Sequence, residues 1–176
     1  MEELRLVLPS MAYAAQISAY RQAFLDAGDD LAGTSSLRDY EQVPDWLAWI
    51  EAMSTEKAYD KGFVPGTQYL VLRAADGALV GMVHIRHELN DYLLAFGGHI
   101  GYSVHPMERR KGYAKELLRL ALAACKDLGL QRVLIACAKE NEASRRTVLS
   151  AGGVYESEAL DETDGEITQR YWVDVK

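Results

Sequence analysis

Hydrophobic positions along the chain fall into short blocks whose period alternates between that of a strand and that of a helix. Leu4 to Leu8 reads as a first strand, stopped by Pro9. Ser10 can cap a helix from Met11 to about Leu25, with Ala14, Ile17, Tyr20, Ala23 and Phe24 recurring on one side. Gly28 to Gly33 is a polar break. Trp46, Leu47, Trp49 and Ile50 then give bulk to a second helix over Pro44 to Met53, and Tyr59 to Gly66 reads as a loop.

Tyr69 to Arg73 and Leu79 to Ile85 are strands joined by Asp76-Gly77, a strong hairpin signal. His87 to Gly97 shows no period and reads as irregular, and His99 to Val104 is the next strand. The longest helical stripe follows, with Ala114, Leu117, Leu118, Ala121, Ala124, Cys125 and Leu128 on one face and Gly129 as its stop. Arg132 to Cys137 is a buried strand. Asn141 opens a short helix that ends at Gly152-Gly153. Val154 to Ala159 and Thr168 to Val175 form a last hairpin across Asp164-Gly165. This alternation predicts one α/β domain over residues 1–176, without repeats or linkers.

Composition narrows the class. With 176 residues and 49% hydrophobic positions the chain can bury a sizeable core. No apolar run approaches the ~20 residues of a membrane span. The opening MEELRLVLPS lacks the basic-then-apolar order of a signal peptide, and Cys125 and Cys137 sit in apolar segments without metal or redox spacing. The expectation is a cytoplasmic protein, monomer or homodimer, with no membrane partner. A net charge of -7 argues against nucleic acid.

The charge is unevenly placed. Asp26, Asp29, Asp30, Asp39, Glu41, Asp45, Glu51, Glu56 and Asp60 crowd one segment against only Arg38 and Lys57. Arg109, Arg110, Lys111, Lys115 and Arg119 form a basic cluster elsewhere. One part of the protein suits a cation and another an anion. The basic cluster also has the right backbone: a strand, a glycine turn, then a helix N-terminus. Such a turn leaves N–H groups unpartnered and adds the positive end of the helix dipole, so a pyrophosphate is its natural guest.

The spacing in that turn is Arg-x-x-Gly-x-Ala, with Val104-His105-Pro106 just upstream. Neither a Walker loop nor a dinucleotide fingerprint fits it. It resembles the acetyl-CoA loop of the GNAT superfamily of N-acetyltransferases. GGHIGYSVHPMERRKGYA together with GEITQRYW is similar to a bacterial subgroup of acetyltransferases in it. The order of elements along nearly the whole chain also resembles that fold. The resemblance implies an α/β (α+β) GNAT fold: a mixed central sheet of about six to seven strands, splayed between the fourth and fifth, and flanked by about four helices. The strands at the splay, His99–Val104 and Arg132–Cys137, would be a parallel pair.

The resemblance implies acetyl-CoA as co-substrate and no metal. Its pantetheine arm would pair with the backbone of Tyr102, Ser103 and Val104. Its pyrophosphate would be wrapped by Arg109, Arg110, Lys111, Gly112, Tyr113 and Ala114, within reach of Lys115. Asn141 and Ser144 would meet the cofactor near its thiol end. Asn141 also reads as a plain N-cap, Lys115 as a solvated charge and Val104 as core.

Catalytic groups are less defined. Many members of the superfamily carry a tyrosine seven residues after the asparagine, where this chain has Val148. Tyr171 is a substitute acid or simply a core tyrosine, and water can also protonate a thiolate. For the base, His99 begins the fourth strand close to where members often place a glutamate, with a structural histidine as the alternative. Glu88 and His87 are further candidates. His84 and His87 point to opposite faces of a strand, which argues against a metal pair. The expected reaction is direct acetyl transfer to a primary amine of a small molecule or peptide, without an acyl-enzyme. The acceptor is expected to be cationic, drawn in by the acidic segment, or else chosen by uncharged walls such as Trp46 or Trp49. A non-catalytic acyl-CoA sensor on the same fold is the alternative, motivated by the missing tyrosine.

Overall fold

The computed structural model describes residues 2–176. Strand β1 (Leu4–Val7) leads into helix α1 (Ala14–Ala27), helix α2 (Val43–Met53) and a single turn, α3 (Lys57–Asp60). Strands β2 (Gly66–Arg73), β3 (Leu79–Arg86) and β4 (Ile100–Val104) follow, then the central helix α4 (Tyr113–Asp127). Strand β5 (Arg132–Ala138), helix α5 (Glu142–Ser150) and the hairpin of β6 (Val154–Asp161) and β7 (Glu166–Asp174) complete the chain. The periodicity located each of these except α3, and β2 starts earlier than its apolar run. The aperiodic stretch before β4 holds one wide helical turn, Leu93–Gly97.

β1 to β4 form an antiparallel sheet in chain order, and β5, β7 and β6 form a second one with β7 in the middle. The expected splay between the fourth and fifth strands is present, but those strands share no ladder. A single bridge, from Gly98 just ahead of β4 to Ile135 of β5, lies between them. The two strands expected to pair are thus edges of two hydrogen-bonded sheets, with the splay between them.

His99 stands where the strands part. Its N–H donates to the Leu134 carbonyl at 2.7 Å. The Leu134 N–H donates back, at 2.9 Å, to His99 Nδ1. A ring nitrogen thus takes the place a strand carbonyl would have held, and the ladder stops. β4 becomes an edge strand whose outer backbone groups can pair with an extended guest.

The four-stranded sheet is covered on both faces because its strands alternate between two apolar sets. Val71, Val83, Ile85 and Ile100 pack under Leu117, Leu118 and Ala121 of α4, and this core continues to Val133, Ile135 and Tyr171. Leu70, Leu72 and Met82 face the other way, against Ile17, Tyr20 and Phe24 of α1 and Trp46 of α2. α1 and α2 are therefore held over the sheet, and the loop between them arches across β4.

Candidate active site

Two cavities meet at that loop. The larger, about 690 Å³, is bounded by the end of β4, the basic turn and the N-terminal ends of α4 and α5. The smaller, about 530 Å³, lies on the α1–α2 side of β3. Ala32 borders both. Between them Gly33 rests on Gly101: a Cβ on Gly33 would stand 2.3 Å from the Gly101 carbonyl oxygen and 2.5 Å from Tyr102 Cα. Only glycine permits this approach, and its φ of 68° suits no side chain well.

The larger cavity is lined by the basic turn. Gly112 is the N-cap of α4 at φ 82°, with no side chain capping the helix, so the first N–H groups point outward unpaired. Arg110 is also left-handed, at φ 62°. Arg109, Arg110, Gly112, Ala114 and Lys115 line the cleft. Free N–H donors, a helix N-terminus and three cations fit a pyrophosphate. The open edge of β4 fits an extended arm.

Lys111 departs from its expected place and is absent from the cleft lining. Its Nζ donates to Glu108 Oε2 at 2.7 Å, and that carboxylate also receives Arg73 at 3.0 Å. The Glu108 carboxylate, shared with Arg73, thus draws the lysine aside. Tyr113 can contribute only backbone, because its ring is buried and its hydroxyl donates to Glu2. Arg109 is already paired: its Nη1 donates to Asp29 Oδ2 at 2.7 Å, and its guanidinium lies 5.6 Å from the Phe24 ring centroid.

At the far end of the cleft, Asn141 Oδ1 accepts from the Ser144 N–H at 3.1 Å, an N-cap that leaves its amide nitrogen free. Ser144 Oγ meets the Tyr102 hydroxyl at 2.9 Å, from α5 across to β4. Burial raises the Tyr102 pKa above the usual phenol value. The sequence assigned Tyr102 a backbone role alone. Strand parity in β4 could have shown that its side chain opposes that of Ser103, which turns to the Tyr20 hydroxyl at 2.9 Å.

The four residues named as acid or base, Tyr171, Glu88, His99 and His87, line neither cavity. Tyr171 is a core residue whose hydroxyl donates to Gln169 Oε1 at 2.9 Å, and burial raises its pKa. Glu88 accepts from the Tyr59 hydroxyl on the surface. His99 spends Nδ1 on the splay, and burial holds its pKa near about 4. Its geometry is that of the structural alternative. His87 bonds Thr67 Oγ1 at 2.7 Å. Val148, in place of the superfamily's tyrosine, is fully buried.

The smaller cavity has a different character. Trp49 of α2, Phe63, and Tyr92 from the stretch before β4 supply aromatic surface, and no carboxylate lines it. Trp49 is the wall residue that the sequence suggested, whereas Trp46 is core, its indole N–H donating to the Thr34 carbonyl at 2.9 Å. His84 and Arg86 project from β3 into the cavity, and burial drives the His84 pKa down to about 3. These two were not foreseen as site residues, since alternation in β3 shows only that they share a face.

A family model for the acetyltransferase (GNAT) domain matches residues 27–154, most of the chain and all of both cavities' central elements. The chain belongs to the GNAT acetyltransferase family. It is an acyltransferase, and GNAT acetyltransferases use acetyl-CoA as co-substrate. No match was found among the curated proteins. Among solved structures, this GNAT acetyltransferase is similar to the ribosomal-protein-S5-alanine acetyltransferase of Vibrio fischeri. That match has a TM-score of 0.70 at 16% identity and covers 100% of this chain and 95% of that one. It is similar to spermidine N-acetyltransferase of Vibrio cholerae, with a TM-score of 0.68 at 16% identity over 97% and 93%. The fold of yncA from Salmonella typhimurium, solved with its cofactor acetyl-CoA, also matches, with a TM-score of 0.63 at 17% identity over 98% and 94%. At these identities the likeness is one of fold.

Proposed function

We propose that the basic cleft holds acetyl-CoA and that the aromatic cavity receives a primary amine, of a small molecule or a peptide. The observation that carries this reading is the meeting of the two cavities at Ala32 and the Gly33–Gly101 contact. Arg109, Arg110, Lys115 and the N–H groups after Gly112 bind the pyrophosphate. The outer edge of β4, Tyr102 to Val104, aligns the pantetheine arm, and the free amide of Asn141 meets it. Amine-acetylating neighbours, for spermidine and for a ribosomal protein, agree with an amine acceptor. The cationic acceptor expected from the acidic segment has little local support. Asp29 and Asp30 border the basic cleft, and no carboxylate lines the aromatic cavity.

Acetyl-CoA supplies the thioester carbonyl that a neutral amine attacks and the thiolate that leaves. Tyr102, backed by Ser144, is the side-chain pair best placed to hand that thiolate a proton, in the role the superfamily gives to the tyrosine that Val148 replaces. No imidazole in the aromatic cavity has an ordinary pKa, because burial holds His84 near about 3. In this reading the acceptor reacts as the free amine and its proton leaves to water. Thiol release from acetyl-CoA with a broad amine panel, beside calorimetry of CoA, tests this reading. Turnover with at least one amine is the expected result. CoA binding without turnover on any amine would instead favour the sensor alternative.

A further inference from the structure

Arg86 is a cation without an anion. Its Nη1 donates to the Gly97 and Gly98 carbonyls at 3.1 and 3.3 Å. No carboxylate comes within ion-pairing distance of it among the described residues, and its Nε and Nη2 make no bond to the protein there. An arginine keeps its charge, and a charge drawn into a half-buried site without a counter-ion is costly. It is held beside the wall between the cavities: Nη1 would lie 3.5 Å from a Cβ on Gly101.

The surroundings are fixed and selective. Trp49 and Phe63 meet edge to face with ring centroids 6.0 Å apart, and Tyr40 stacks behind Trp49 at 6.2 Å. Across the cavity, Ser35 and Ser36 are both left-handed, at φ 49° and 65°, a conformation that serine adopts at a cost. Gln68 holds this loop, accepting from Ser35 Oγ at 2.7 Å and donating to the Gly33 carbonyl at 2.8 Å. Strain that is held in place by neighbours is characteristic of ligand clamps. The cavity, about 530 Å³, is of small-molecule size.

We propose that Arg86 anchors a carboxylate of the acceptor, and that the acceptor is an α-amino acid with an aromatic or large apolar side chain. With the carboxylate on Arg86, an α-amine stands next to the wall shared with the cofactor cleft. The side chain then extends along Trp49 and Phe63. The guanidinium fork suits a carboxylate in two-point contact. The inference rests on the proposed function above, and the transfer balances in the same way. The amine nitrogen bonds the acyl carbon, the C–S bond breaks, one N–H proton goes to water and the thiolate gains one. A peptide N-terminus lacks the adjacent carboxylate and is disfavoured.

The test uses matched acceptors: phenylalanine, phenethylamine, which is the same body without the carboxylate, and spermidine. Phenylalanine should exceed both others in kcat/KM by about 10- to 100-fold, as expected for a charged hydrogen bond. Arg86→Gln should cost phenylalanine about the same factor and leave phenethylamine within about threefold, and Arg86→Lys should restore part of the loss. An equal loss on both acceptors would make Arg86 a structural or general catalytic group and overturn the proposal. A preference for spermidine or phenethylamine in the unaltered protein would do so as well, and this arm decides the matter if Arg86→Gln does not fold. Quenching of tryptophan fluorescence by N-acetylphenylalanine separates this inference from the broader reading. Saturable quenching lost in Arg86→Gln supports the carboxylate site even if no amine turns over. Absence of saturation in the unaltered protein counts against the site whatever the activity.

Discussion

The two cavities differ in how they are built. Most of the larger cleft comes from one continuous run, Tyr102 to Lys115, with the first turns of α5 added. The aromatic cavity draws on the α1–α2 loop, α2, Phe63, β3 and the stretch before β4. The cleft sets three cations, Arg109, Arg110 and Lys115, beside Asp29, Asp30 and Glu108, and adds the open backbone donors after Gly112. The cavity is apolar, with one cation and no carboxylate. A site made of backbone donors tolerates change in most side chains but not in its glycine. A site made of side chains from five places can change its guest by changing one of them. On the proposed reading, the chemistry of the cofactor is thereby separated from the choice of acceptor.

Gly112→Glu should break the first half of this comparison outright. It places a carboxylate among the phosphate donors and forces a side chain into φ 82°. Calorimetry should show acetyl-CoA affinity reduced at least about 100-fold in a protein that still unfolds cooperatively. Undiminished affinity would remove the turn from the cofactor site.

A smaller effect is expected of Tyr102→Phe. It deletes the hydroxyl that bridges to Ser144 and should lower kcat by about 10- to 100-fold with acetyl-CoA affinity kept. A parallel loss of affinity would mean that the pair holds the splay and does not deliver a proton.

His99→Ala tests whether the splay and the chemistry are separate. The Leu134 N–H would lose its acceptor, at a cost of about 1–3 kcal/mol in chemical denaturation. Burial keeps the folded-state pKa of His99 near about 4 against an ordinary 6.5. The unfolded chain therefore binds a proton that the folded chain refuses. The contribution to stability is complete above pH 6.5 and is lost as pH falls towards 4. His84, near about 3, acts in the same direction. Stability of the unaltered protein should fall across that window, more steeply than in His99→Ala. The acidic limb of the pH–rate profile should be the same in both. A limb that vanished with His99 would restore it as the base.

Asp29→Asn carries the smallest effect. It frees Arg109 from a half-exposed ion pair of 2.7 Å and should tighten acetyl-CoA about two- to fivefold at low salt, with the gain fading as salt rises. Weaker binding would show that Asp29 positions Arg109 for the phosphates.

The basic turn was legible in the chain because everything it needs lies within a few residues. A left-handed glycine, the helix start after it and the cations around it are all local. The same holds for the hairpin at Asp76-Gly77 and the apolar stripe of α4. Locality failed where a side chain had a choice of partners. Lys111 has the same charge as its neighbours, and only the place of Glu108 turned it away from the cleft. His99 has the pKa of a base in isolation, and only the gap beside Leu134 made it a strand cap. Tyr102 acquired a side-chain partner because α5 is folded against the end of β4. The carboxylates of the acidic segment suggested a cationic guest, yet the part of that segment facing the cavity is Gly33, Thr34 and two serines. Arg86 was one more charge on a strand until packing set it in the wall of the aromatic cavity, with no carboxylate in ion-pairing distance among the described residues. Periodicity and turn geometry depend on neighbours in sequence, so the chain alone determined its elements and its basic glycine turn. The direction and company of each polar side chain depend on which distant element packs against it, and that only the tertiary structure decided.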